Sequence, residues 1–123
     1  MATMKMPMAV GTGSSVKAAS GVITTSDWNG TSATSTVSIT GLGFKPKHVS
    51  VFSNTTNKTA YVYDENVSTT KYSGVQGAGA VNFKDMATND YANQFSSIDA
   101  DGFTLIRYVS GYSNGDIYWA AFG

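Results

Sequence analysis

Cysteine is absent from this chain of 123 residues. Its absence removes disulfide staples, thiolate metal centres and cysteine nucleophiles together. Charge is scarce as well. Only 13% of residues are Asp, Glu, Lys or Arg, and eight cations balance eight anions. That share is about half the usual one. A neutral chain lacks the basic footprint of a nucleic-acid binder and the polybasic patch of a membrane-surface protein. One His (His48), one Glu (Glu65) and one Arg (Arg107) leave little for acid–base chemistry. No segment approaches the ~20 apolar residues that span a bilayer. The first ten residues hold one Lys and no apolar run of signal-peptide length, so synthesis in a cytosol is expected.

What the chain does hold is hydroxyl, amide and aromatic. Ser and Thr number 15 each, Asn 8, Gly 13, Tyr 7, Phe 6 and Trp 2. The length suits one domain, which at this size hides roughly two thirds of its unfolded surface.

Residues 1–20 read as an arm. Gly11-Thr12-Gly13-Ser14-Ser15 is flexible in composition, and Pro7 bars a helix interior. Met4, Met6, Met8 and Val10 recur at every second residue, so an extended arm carries them on one face as a docking strand.

Residues 21–123 read as strand after strand. Thr36–Thr40 alternates with Val37 and Ile39 inward, and His48–Ser53 does so with Val49 and Val51. Ala60–Asp64 sets Tyr61 and Tyr63 opposite Val62. Gly21–Thr25, Val67–Tyr72, Gly102–Val109 and Asp116–Phe122 complete the strand set, with Asn29-Gly30 and Asn114-Gly115 as turns. Val81–Gln94 has no clear period and has room for one helical turn. Short strands at this spacing indicate an all-β fold, an antiparallel β-sandwich of about six to eight strands behind an extended N-terminal arm.

The last strand is apolar on both faces. Ile117, Trp119 and Ala121 lie on one, Tyr118, Ala120 and Phe122 on the other. One face suits the opposite sheet; the second suits a neighbouring subunit, which makes the chain a homo-oligomer.

Candidate chemistry is thin. Thirty hydroxyl residues bring some Ser near His48 by chance, no Gly-x-Ser-x-Gly elbow exists, and His48 reads as a surface or edge-strand residue. Asp99-Ala100-Asp101-Gly102 resembles the start of a calcium loop, yet a third loop acid and a distal Glu are missing, so it reads as a capped turn. The sequence therefore calls for no catalytic residue, no cofactor and no metal. Aromatic faces stack on sugars. Trp28 in a turn, with Tyr61 and Tyr63 on one strand face, are the glycan-binding candidates.

Three segments carry a resemblance: VSITGLGFKPKHV at Val37–Val49, DGFTL at Asp101–Leu105 and IYWAAFG at Ile117–Gly123. In that order they resemble a family of small β-domains in tailed-phage virion proteins, and the pattern is similar to the H-type lectin module. The resemblance covers about residues 36–123, apart from 64–96. It implies a small sandwich, commonly a homotrimer, on a virion surface, as in tail fibres, tip adhesins and capsid decoration proteins. A chain without a long shaft but with an arm fits a decoration protein best, with the major capsid protein as partner. The alternative it implies is a receptor-binding, lectin-like tail-fibre or tail-tip module that recognises a host cell-surface glycan.

Overall fold

The computed structural model of the chain describes residues 3–5, 17–31, 34–53, 59–76, 82–87, 94–107 and 116–123. These form two antiparallel sheets around one core. In chain order the strands are β1 (Thr3–Lys5), β2 (Ala18–Ile23), β3 (Asn29–Thr31), β4 (Thr34–Ile39), β5 (His48–Ser53), β6 (Thr59–Asp64), β7 (Lys71–Gln76), β8 (Asn82–Asp85), β9 (Gln94–Asp99), β10 (Gly102–Arg107) and β11 (Ile117–Phe122). A single 3-10 turn at Thr25–Asp27 is the only helical piece among the described residues. The larger sheet runs β1-β2-β11-β5-β6-β7-β8 and the smaller β3-β4-β10-β9. The all-β sandwich expected from the strand pattern is therefore what forms.

Period-two alternation builds the core. Ile117, Trp119 and Ala121 point inward from β11, Val49 and Val51 from β5, and Phe103 and Leu105 from β10. At the centre is Phe95 on β9. Its ring meets Tyr61 at 5.0 Å, Tyr72 at 5.2 Å and Phe103 at 6.2 Å, all edge to face, and Phe103 passes the contact on to Trp119 at 5.3 Å. Edge-to-face geometry sets a positive ring rim on a negative face.

The segments VSITGLGFKPKHV and DGFTL form one structural unit. Gly41 and Gly43 both have left-handed backbones (φ 77° and 79°), where a side chain would be strained. The Asp101 carboxylate accepts the N–H of Gly41 at 2.9 Å and of Gly43 at 2.6 Å, while the Leu42 N–H donates to the Asp101 carbonyl at 3.1 Å. Gly102 then passes so close to β4 that a Cβ would lie 1.7 Å from the Ile39 carbonyl oxygen. Asp101-Gly102 thus locks the β4–β5 crossing against the start of β10.

Several sequence readings shift. The arm boundary at residue 20 falls inside β2, which starts at Ala18 and pairs with β11 to Phe122. Within the arm, Met4 stands in β1 opposite Gly21 of the same chain. Met6, Met8 and Val10 lie outside the described residues. Asn29-Gly30 belongs to β3, paired with Thr36 and Ser35, rather than to a turn. The strand read at Val67–Tyr72 moves to Lys71–Gln76. Asp64 turns the chain first, its carboxylate accepting the Asn66 N–H and its carbonyl the N–H groups of Val67 and Ser68. Part of the aperiodic stretch Val81–Gln94 is strand β8.

Candidate functional site

The two sheets turn different outer faces to solvent. On the smaller sheet that face is hydroxylic. The Ser38 hydroxyl lies 2.9 Å from that of Thr104, Thr104 donates to Asp99 at 2.8 Å, and Ser97 donates to the other Asp99 oxygen at 2.7 Å. Both oxygens of Asp99 and both of Asp101 are thus engaged by the protein's own donors. The Asp-rich segment acts as a capped turn, the role expected of it, and the described residues hold no group of three or more metal-ligating side chains.

On the larger sheet the outer face carries an apolar row. The registers align Val22, Tyr118, Phe52, Ala60 and Val75 in one row across β2, β11, β5, β6 and β7. Phe52 is 55% exposed, Tyr118 45%, Phe122 43% and Val22 39%. The next row, Ser20, Ala120, Ser50, Val62 and Ser73, is small, and it ends on exposed Phe83 of β8. Three of the four half-exposed aromatics stand on the neighbouring strands β5 and β11, and exposed apolar patches of this kind mark contact surfaces. Of the three residues expected at a subunit contact, Tyr118 and Phe122 stand open on this face and Ala120 lies half-buried between them.

His48 occupies the lower edge of the same face. Its Nδ1 is 3.1 Å from the Asp64 carboxylate and its Nε2 is 3.2 Å from the Ser50 hydroxyl. The connectivity matches a Ser-His-Asp relay. The amides beside Ser50 are already committed to the sheet. Acyl transfer needs amide donors aimed at a developing oxyanion. Ser50 sits mid-strand in β5, whose amides are engaged with β11 and β6, and those strands are interior too. The ring instead lies against Phe122, with centroids 5.9 Å apart. The His48 hydrogen bond is the main cause that holds the Asp64 carboxyl below its ordinary value, with the Asn66 N–H next.

The glycan candidates are placed differently from the expectation. Tyr61 and Tyr63 are 1% and 2% exposed, inside the sandwich against Phe95, so no sugar can stack on either. The face opposite Val62 is the inner one. Burial drives the Tyr61 hydroxyl well above the ordinary phenol value, with the nearby Tyr72 adding to it. That hydroxyl and the Trp119 indole N–H have no hydrogen-bond partner among the described residues. Trp28 is half-buried and packs on the core, with the Arg107 guanidinium 4.7 Å from its ring centroid, a cation–π pair.

Below Phe122 is a recess of about 360 Å³ lined by Lys17, Phe44, Lys45, Lys47 and Gly123. Two backbone bonds fix its walls: Gly123 N–H to the Lys17 carbonyl at 2.9 Å and Lys47 N–H to the Phe122 carbonyl at 2.7 Å. Comparison of the chain with protein-family models, with curated proteins and with solved structures returns no match.

Proposed function

We propose that the chain is a phage virion structural protein, a non-enzymatic decoration module held on the capsid surface by its neighbours. The observation that carries this reading is the five-strand apolar row Val22–Tyr118–Phe52–Ala60–Val75 on the outer face of the larger sheet. A low-charge protein with such a face associates by shape and apolar contact rather than by electrostatic steering. The virion comes from the resemblance of the Val37–Val49, Asp101–Leu105 and Ile117–Gly123 segments. Those segments also build the β4–β5 crossing and the interior strand β11. A decoration protein binds the assembled shell and so stabilises it by mass action.

Quantitative mass spectrometry of purified particles tests the reading. Copies in stoichiometric proportion to the major capsid protein support it. A handful of copies per particle would move the protein to the tail tip, and none would remove it from the virion.

The receptor-binding alternative loses two of its three aromatic candidates, because Tyr61 and Tyr63 lie in the core. Trp28 remains, with Arg107 against its ring.

A further inference from the structure

We propose that the recess lined by Lys17, Phe44, Lys45, Lys47 and Gly123 is an anion site, built for a phosphate monoester of a small organic molecule. It is separate from the outer-face row that carries the decoration reading, and it stands whether or not that reading does.

Unpaired charge is the first argument. Elsewhere on the protein Lys71 closes on Asp85, and Arg107 stacks on Trp28. Lys17, Lys45 and Lys47 have no ion pair and no side-chain hydrogen bond among the described residues, and all three stand around the one recess. The carboxylates on the adjoining segments are committed. Asp101 gives both oxygens to the Gly41 and Gly43 amides, and Asp64 is held by His48 and the Asn66 N–H. Glu65 donates its N–H to the Lys47 carbonyl at 2.8 Å, but its side chain pairs with none of the three lysines. Among the described residues, three ammonium groups thus share one recess without a counter-charge.

The backbone fixes their arrangement. In the β4–β5 crossing Leu42, Phe44 and Pro46 are buried while Gly43, Lys45 and Lys47 are exposed, so both lysines leave an anchored segment on its solvent side. Lys47 and Lys17 flank the end of β11. The Lys47 N–H donates to the Phe122 carbonyl on one side, and the Gly123 N–H donates to the Lys17 carbonyl on the other. Two strand spacings set their backbones about 10 Å apart. Between them stands Gly123, where a Cβ would lie 2.3 Å from the Phe44 ring. A glycine at that position leaves the gap open, with the ring as part of its wall.

The donors select the ligand. A lysine ammonium is a compact point charge that suits phosphate, whereas the planar carboxylate is matched best by the arginine fork. The single Arg is on Trp28, outside the recess. A phosphate monoester carries about −1.5 to −2 charges near neutrality on three acceptor oxygens. That answers three lysines better than one carboxylate does. Size adds the organic part. A recess of about 360 Å³ has the volume of about a dozen waters at ~30 Å³ each, more than a phosphate group fills, and it falls in the range of small-molecule sites.

Amide NMR of the full chain, titrated at constant ionic strength with glycerol phosphate, inorganic phosphate and acetate, tests the site. Glycerol phosphate should shift the amides of Lys17, Lys45, Lys47 and Gly123 saturably, with a dissociation constant of about 1 mM or tighter. Inorganic phosphate should bind no more tightly, and acetate at least tenfold more weakly. Lys17→Gln, Lys45→Gln and Lys47→Gln, all at exposed positions, should each weaken glycerol phosphate several-fold. The triple variant should not bind it, while the melting temperature without ligand stays close to wild type. Lys71→Gln, outside the recess, should bind as wild type does. The absence of saturable shifts in wild type, or binding that survives in the triple variant, would overturn the site. Acetate binding as tightly as glycerol phosphate would overturn phosphate as its ligand. Inorganic phosphate binding more tightly than glycerol phosphate would overturn the organic part.

Discussion

Gly102→Ala should be among the most damaging single substitutions in the protein, although it adds one methyl group. The added Cβ would sit 1.7 Å from the Ile39 oxygen, 2.7 Å from the Ile39 carbonyl carbon and 3.2 Å from the Thr40 Cα. All three are backbone atoms, so no rotamer change relieves the clash. Relief requires the start of β10 to move away from β4 by more than an ångström at the Phe103–Ile39 register. Overpacking of this kind costs about 1–3 kcal/mol. The displaced strand also drags Asp101 from the Gly41 and Gly43 amides. Bonds to a charged acceptor are worth about 1.5–3 kcal/mol each when buried, and less at this exposed carboxylate. The total is about 4 kcal/mol, in the exceptional class for a point mutation. At roughly 4 °C per kcal/mol for a domain of this size, the melting temperature should fall by about 15 °C. Thermal unfolding followed by circular dichroism, with urea midpoints as a second readout, measures it. A fall of less than about 3 °C would refute the account of Asp101-Gly102 as the lock on the β4–β5 crossing.

Asp101→Ala should cost about 2 kcal/mol by urea denaturation, since it strips both crossing amides of their acceptor, and Asp101→Asn about half as much. Equal stability of Asp101→Ala and wild type would contradict the clamp. Tyr61→Phe removes a buried hydroxyl with no partner among the described residues, so stability should stay level or rise by up to about 1 kcal/mol; a clear loss would mean the hydroxyl is bonded. Asp64 has a depressed carboxyl pKa in the fold, so its contribution is present above the unfolded value of 3.8 and disappears as pH falls through the lower folded value. Asp64→Asn should therefore flatten the acid side of the stability curve below about pH 4, with little change in shape near neutrality. If the Ser50–His48–Asp64 relay is structural, an alkyl fluorophosphonate should leave the intact mass unchanged; an adduct on Ser50 would make the protein a hydrolase.

Where one face of a strand was clearly apolar, the sequence was enough. β5 matches its reading residue for residue, because Val49 and Val51 alternate with His48, Ser50 and the exposed Phe52. The inner face of β11 was equally plain. β9 was not legible, because Gln94 and Phe95 are both buried and the pairing with β10 shifts between Thr104 and Leu105, which breaks the two-residue period. That gap hid the centre of the core. Tyr61 and Tyr63 could be placed on one face of β6, but Val62 makes the other face apolar too, and only Phe95 decides which is inside. The apolar row shows the same limit. Val22, Phe52, Ala60, Val75 and Tyr118 are far apart in the chain and become a surface only through five registers that no local pattern contains. The His48–Asp64–Ser50 network depends on β5–β6 pairing in the same way.

The central claim is that this face holds the protein to its neighbours. Co-sedimentation of purified wild type and of Phe52→Lys/Tyr118→Lys with particles lacking the protein tests it most directly. Wild type should saturate the particles at a fixed ratio to the capsid protein, and the equally folded double variant should bind at least tenfold more weakly. Equal binding by the two would contradict the claim.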